Sequence, residues 1–328
     1  MMNRRPALLG LLALAAPAIL ARPAAAQSFP TRPVRMVIPF TAGGSNDVVG
    51  RMLGDAMAQR LGQPVVIENR GGAGGVLGND AVAKAEPDGH TMLLAGSGSF
   101  VISSLVQTRL PYDPVRDFAA IAYLGASPNV ITIHPSVRAT NLRELQALGK
   151  ARGEPLRYGT PGVGTNGHAL GAMIGVVLGI EMEPIHYRGT GPALNDLIAG
   201  RLDLLTNASA PLQPHIEAEK IRAIAIAGTS RSVALPNLST SVEQGFPELD
   251  SATWYGLLAP AGTPADRIAV LHAAAVAAIN QEDVKRRLIA SGVDEIAPSP
   301  ESAHFTRLLA SDRERWARVV ERANLRVQ

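Results

Sequence analysis

The sequence predicts an α/β protein built as two α/β layers, with the chain crossing between them twice. Three observations carry this. Within the first 105 residues, short apolar runs three times deliver a glycine-rich loop followed by a helix-like segment, the rhythm of a parallel sheet. That alternation breaks where Ile121–Leu124 and Val130–Ile133 follow one another with only Gly125–Pro128 between them, and it restarts at Leu156. Late in the chain, Thr253–Ala259 reads as a strand returning to the first layer. One continuous doubly wound sheet is the weaker alternative, because the strand-after-strand junction interrupts it.

The stretch Val34–Leu53 organises the first layer. Val34, Met36, Val37 and Ile38 form a short apolar strand that Pro39 stops. Phe40-Thr41-Ala42-Gly43-Gly44-Ser45-Asn46-Asp47 follows as a loop, and Val48, Val49, Met52 and Leu53 recur at helical spacing. Paired glycines admit a ligand close to backbone N–H groups, and Ser45, Asn46 and Asp47 are each suitable N-caps. A helix start at this place offers free donors and about half a positive charge, a seat for a carboxylate or phosphate. An ordinary strand-to-helix turn has the same pattern.

Residues 1–26 read as a cleaved export signal: Arg4-Arg5, the apolar core Leu8–Leu20, then Ala24-Ala25-Ala26 before Gln27. The apolar run is too short for a convincing anchor. The paired arginines leave both the Sec and the twin-arginine routes open. Arg4, Arg5 and Arg22 account for the whole formal charge of +3, so the remaining chain is near neutral and its charge gives no argument for nucleic acid. The chain has no cysteine, so its stability rests on its core. About 300 residues remain, consistent with two domains.

In order after the opening unit, Gln63–Glu68 is a strand ending in the loop Asn69–Gly75, and Gly78–Ala85 is helix-like. Thr91–Ala95 is a buried strand that delivers Gly96-Ser97-Gly98-Ser99 at its C-terminal end, where sheets of this kind bind ligands. Leu142–Arg152 is a helix. The strand Leu156–Tyr158 leads through Gly159–His168 to the helix Ala169–Leu178. The strand Glu183–Tyr187 ends in Arg188-Gly189-Thr190-Gly191-Pro192, then come the helix Ala193–Ala199 and the strands Leu202–Thr206 and Ile221–Ala227. Leu235–Glu248 reads as a surface loop, and helices at Pro264–Asn280 and Ser302–Asn324 close the chain. The expected division is 27–125 with 236–328 as lobe 1, and 126–235 as lobe 2.

The phrases RPVRMVIPFTAGGSND, VVIENRGGAGG, PDGHTML, LRYGTPGVGTNGH, HYRGTGPALNDLIAGRLDL, RAIAIAGTSRS and WYGLLAPAGTP span nearly the whole mature chain. In this order they resemble the Bug (TctC-like) family, the periplasmic solute-binding subunits of tripartite tricarboxylate transporters. The resemblance implies a type II periplasmic-binding-protein fold: two α/β lobes, a two-crossing hinge and a cleft that closes on one small ligand. It also implies that backbone groups of two glycine loops hold a carboxylate end, with ordered waters bridging the rest. Carried over by residue, this points to Phe40, Thr41, Ala42, Gly43, Gly44 and Asp47 on one lobe, with Ser45 and Asn46 beside them. On the other it points to Gly164, Thr165, His168, Arg188, Gly189, Thr190 and Ala193. The family often has an aromatic or acidic residue after the strand Leu202–Leu205, where this chain has Thr206-Asn207-Ala208, so Asn207 is the expected wall there.

Other chemistries fit the residues less well. Gly162-x-Gly164-x-x-Gly167 is a literal dinucleotide fingerprint, yet the next strand ends in His186-Tyr187-Arg188 without the required acid. Ser97 follows a buried strand, as an active serine would, but no GxSxG occurs, so it is expected to bond ligand or backbone. The seven histidines form no close pair for a metal, and neither cofactor nor catalytic residue is expected. Arg188 pairs either with a second carboxylate of the ligand or with a surface acid. Asp47, Glu68, Asp196 and Asp203 are expected to be structural, because an acid beside the site repels a carboxylate. The reading is a monomeric periplasmic protein that captures a small organic carboxylate for a membrane permease. A co-receptor for a sensor kinase and an exported enzyme acting on a small carboxylate are the alternatives.

Overall fold

The computed structural model describes residues 29–298 and 301–325; the expected leader and the cleavage point before Gln27 lie outside the described residues. β1 (Val34–Ile38) leads to α1 (Ser45–Leu61), and β2 (Val65–Asn69) leads to α2 (Val76–Ala83). β3 (Thr91–Gly96) feeds a π-helical turn (Ser97–Ile102) that runs on into the short α3 (Ser103–Val106). β4 (Phe118–Ile133) and α4 (Leu142–Ala151) precede a second series: β5 (Leu156–Thr160), α5 (Asn166–Leu178), β6 (Met182–His186), α6 (Thr190–Ile198) and β7 (Leu204–Ala208). Then come α7 (Gln213–Glu217), β8 (Arg222–Ala227), β9 (Ala252–Pro260), α8 (Ala265–Ile279), α9 (Glu282–Ala290), β10 (Glu295–Ile296) and α10 (Ser302–Arg322).

The two α/β lobes share one strand. In the first the order is β2-β1-β3-β9-β4, and in the second β6-β5-β7-β4-β8. Each lobe holds three parallel strands closed by antiparallel ones. β4 pairs with β9 through Phe118–Pro128, then with β7 and β8 through Asn129–Ile133. The expected loop Gly125–Pro128 is therefore strand, and the two expected strands are one of 16 residues. Register shifts between Ala120 and Ala122 and between Tyr123 and Gly125 absorb the irregular sequence. Pro128, which has no N–H to donate, stands where the β9 ladder ends, so it interrupts nothing.

The second crossing lies near Ser251, whose N–H donates to Ala227 O at 3.1 Å while its carbonyl accepts from Asn129 N–H at 2.9 Å. Residues 236–250, expected in the first lobe, pack on the second instead. Leu249 is buried with Leu156, Tyr158 and Ile174, and Ser241 N–H donates to Ile226 O at 2.7 Å. The polar composition of this loop concealed its one fully buried apolar residue, Leu249.

Each lobe has its own core. Met36, Ile38, Leu53, Met57, Leu94 and Leu271 are fully buried in the first, each side chain worth about 1.5–3 kcal/mol on burial. Ile131, Leu156, Tyr158, Ile174 and Leu204 anchor the second. α10 reaches both: Trp316 packs with Phe305 and Trp254 in the first lobe, while Val319 and Ala323 also touch the second lobe's core.

Candidate functional site

The C-terminal ends of β1, β3, β5, β6 and β7, with the segments that follow them, meet in one cavity between the lobes. Phe40, Gly44, Ser45 and Asn46 contribute from the first lobe, together with Gly96 at the end of β3 and Gly98 and Ser99 just after it. Pro161, Thr165, Asn166 and Gly167 face them from the second lobe, with Thr190 and Asn207 beside them, and Thr253 at the start of β9 completes the wall. Among the described residues, no Asp, Glu, Lys, Arg or His lines this space.

Three helices begin on it. α1 (17 residues) starts at Ser45, α5 (13 residues) at Asn166 and α6 (9 residues) at Thr190. First-turn N–H groups have no acceptor within their own helix, and each helix start carries up to about half a positive charge. A cavity without side-chain charge thus has a positive field made by backbone alone. Polar side chains on its wall, among them Asn46, Ser99, Asn166, Asn207 and Thr253, supply further donors and acceptors.

The helix starts differ from expectation. The N-cap of α1 is Gly44, and Ser45, Asn46 and Asp47 form its first turn, so none of the three is the cap. Asp47 instead reaches back, accepting from Gly43 N–H at 2.9 Å, from Asn69 Nδ2 at 2.9 Å and from Arg51 at 3.0 Å. Burial pushes its carboxyl up, but the Arg51 guanidinium, the Gly43 N–H and the Asn69 amide together hold it below the usual carboxylate range. It clamps the Gly43–Gly44 loop, as its structural role requires. α5 starts at Asn166, three residues earlier than expected, because Thr165 caps it through the His168 N–H.

Of the sequence-predicted residues, Phe40, Gly44, Ser45, Asn46, Thr165, Thr190 and Asn207 come together on the wall. Others lie just behind it. Thr41 Oγ1 is buried beside Gly189 without a hydrogen-bond partner among the described residues, and Ala42 O stands near Gly191 in the other lobe. Gly164 donates its N–H to His168 Nδ1 at 3.2 Å, so His168 fixes its loop and does not reach the cavity. Burial, with the neighbouring His186, lowers the His168 imidazole to about 4, and it is neutral. Ser97 is fully buried and bonds to Asn166 and to Ala252 O. Ala193 is core, packed with Leu194 and Leu197. Arg188 is exposed, lies outside the wall and makes no hydrogen bond or ion pair among the described residues.

Many of the glycines serve the approach of the lobes. A Cβ on Gly74 would collide with Val163 O, one on Gly189 with Thr41 Oγ1, and one on Gly164 would stand 2.6 Å from Ser103 Cα. Sequence reasoning missed Gly96, Gly98, Ser99, Pro161, Asn166, Gly167 and Thr253. Six of these lie in the two loops it had marked, GSGS and GTPGVGTNGH, while Thr253 carries no local signal at all.

The model of the tripartite tricarboxylate transporter family receptor, TctC, matches residues 49–325. BugT of Bordetella pertussis is 32% identical over 329 residues, covering 100% of this chain and 99% of BugT. The solved periplasmic binding protein BugD superposes with a TM-score of 0.87 at 31% identity, covering 92% of this chain and 100% of BugD. MatC from Rhodopseudomonas palustris, solved with bound malate, superposes with a TM-score of 0.84 at 32% identity, covering 89% and 100%. The two-lobed α/β fold, shared with these proteins along their length, defines a periplasmic-type solute-binding protein. The chain belongs to the tripartite tricarboxylate transporter receptor family, TctC.

Proposed function

We propose that this protein captures a small organic carboxylate between its lobes in the periplasm and presents it, as a monomer, to the permease of a tripartite tricarboxylate transporter. One observation carries the reading: the positive ends of α1, α5 and α6 converge on a cavity whose wall, among the described residues, has no charged side chain. Helix N-termini favour an anion, and the absence of an acid on the wall leaves nothing there to repel one. Because the donors belong to both lobes, a ligand meets all of them only when the lobes are closed, so it favours closure. The malate held by MatC supports the ligand class. Binding and release are the whole activity; no bond of the ligand is broken.

Native mass spectrometry of the protein as isolated, followed by calorimetric titration of the stripped protein with malate and related acids, tests this. A co-purifying small acid and saturable 1:1 binding are expected. A protein that carries no acid and binds none of them contradicts the proposal.

A further inference from the structure

We infer that Ser97 is a positioning residue: it fixes the Asn166 side chain across the cleft and thereby sets how long the closed lobes hold a ligand. Ser97 opens the π-helical turn after β3 in the first lobe, and Asn166 opens α5 in the second. The single Ser97 hydroxyl proton lies between Asn166 Oδ1 at 3.0 Å and Ala252 O at 3.2 Å. Asn166 Nδ2 donates to the same Ala252 carbonyl at 3.1 Å. Turning the amide over would set its oxygen against that carbonyl, so one orientation alone satisfies both partners. Ser97 is fully buried and Asn166 is 6% exposed, so neither bond is exchanged for water while the lobes stay closed.

The triangle joins three parts of the molecule at one point. Ser97 belongs to one lobe, Asn166 to the cavity wall of the other, and Ala252 follows Ser251 at the second crossing. Opening the cleft separates Ser97 from Asn166, and both groups then lose a buried partner. Neighbouring Gly98 shows how close the approach is. A Cβ there would stand 2.6 Å from Asn166 Oδ1 and 2.7 Å from Asn166 N. The lobes meet here with room for backbone and none for a side chain. Ser97→Ala therefore removes the bond and spares the fit, whereas Gly98→Ala spoils the fit and keeps the hydroxyl. Both favour the open state.

This inference rests on the cavity being a ligand site, so its test includes an arm without ligand. The chain has no cysteine, and Leu77→Cys on α2 with Glu183→Cys on β6, both at exposed positions, accept one spin label each. Pulsed-EPR distances are recorded with and without malate, and malate kinetics are read by stopped flow. Both Ser97→Ala and Gly98→Ala are expected to lengthen the interlobe distances. Ser97→Ala is expected to speed malate dissociation about tenfold and leave association within about twofold, the pattern of a lost closed-state contact. Distances and dissociation both unchanged in Ser97→Ala overturn the inference. If malate does not bind, the ligand-free distances decide: longer ones support the positioning role and count against the ligand reading only, while unchanged ones overturn the role.

Discussion

Thr253, on the cavity wall, donates its hydroxyl to Asn129 Oδ1 at 2.9 Å, and Asn129 is the residue at which β4 leaves β9 for β7 and β8. Asn129 Nδ2 in turn donates to Ser251 Oγ at 2.7 Å. All three side chains are buried. Both interlobe crossings and the ligand wall are thus tied by the same pair of bonds, so the strand that hinges the lobes also shapes the site.

Thr253→Val keeps the shape and leaves Asn129 Oδ1 buried without its donor. Such an orphan costs about 1–3 kcal/mol. Urea unfolding is expected to show a loss of that size, together with weaker ligand binding. A change below about 0.5 kcal/mol, the range of an ordinary surface substitution, would show that the bond does not matter.

Asp47→Asn should loosen the Gly43–Gly44 loop, because bonds to a charged acceptor are worth about 1.5–3 kcal/mol each and Asn keeps only part of the set. A stability loss near 2 kcal/mol is expected at pH 7. The folded carboxyl is held below its usual value. Its contribution is therefore full above about pH 4 and is lost as pH falls through the lower folded value. Denaturation curves at pH 7 and pH 3 check both parts: the gap between wild type and variant is narrower at the second than at the first.

His168 carries the opposite sign of pH effect from an ion-paired histidine. Its imidazole is lowered to about 4 in the folded protein, against about 6.5 when free. Between those values the unfolded chain binds a proton that the folded chain refuses, so stability present above about pH 6.5 declines as pH falls toward 4. His168→Gln, which keeps an acceptor for the Gly164 N–H, should lose less stability than wild type between pH 7.5 and pH 5. Equal losses would mean that another group titrates in this window.

Much of this was legible in the sequence, and the failures have physical causes. Val34–Ile38 with its Gly43–Gly44 loop, and Gly159–His168 before a helix, announce themselves because strand, glycine loop and helix are local patterns. Thr253 is invisible in this way: it reaches the wall only because the chain returns from the other lobe and lays β9 beside β3. α9 escaped because Val284 and Leu288 are its only buried residues, one helical repeat apart and too few for a period. Gly125 and Pro128 read as a break, yet a long strand that changes partners midway accommodates both. Ser97 was marked for its position, but the residues that face the cavity are its neighbours Gly96, Gly98 and Ser99.

Arg188 is the residue whose sequence position promised most and whose placement gives it least. Its side chain is exposed, outside the wall and unpaired among the described residues. Arg188→Ala is expected to leave affinity for malate and for a monocarboxylate of similar size within about twofold, less than 0.5 kcal/mol. A tenfold loss confined to the dicarboxylate would bring the guanidinium to the ligand.

The central claim is that backbone donors at three helix starts hold a carboxylate, and a matched pair of ligands tests it most directly. Malate and its diamide have the same shape and differ in charge. Two or more charge-assisted bonds, each worth about 1.5–3 kcal/mol, separate them. Calorimetric titration of the stripped protein should find the diamide bound at least a hundredfold more weakly than malate. Equal affinities for the two would contradict anion capture by the helix starts and return the cavity to recognition by shape.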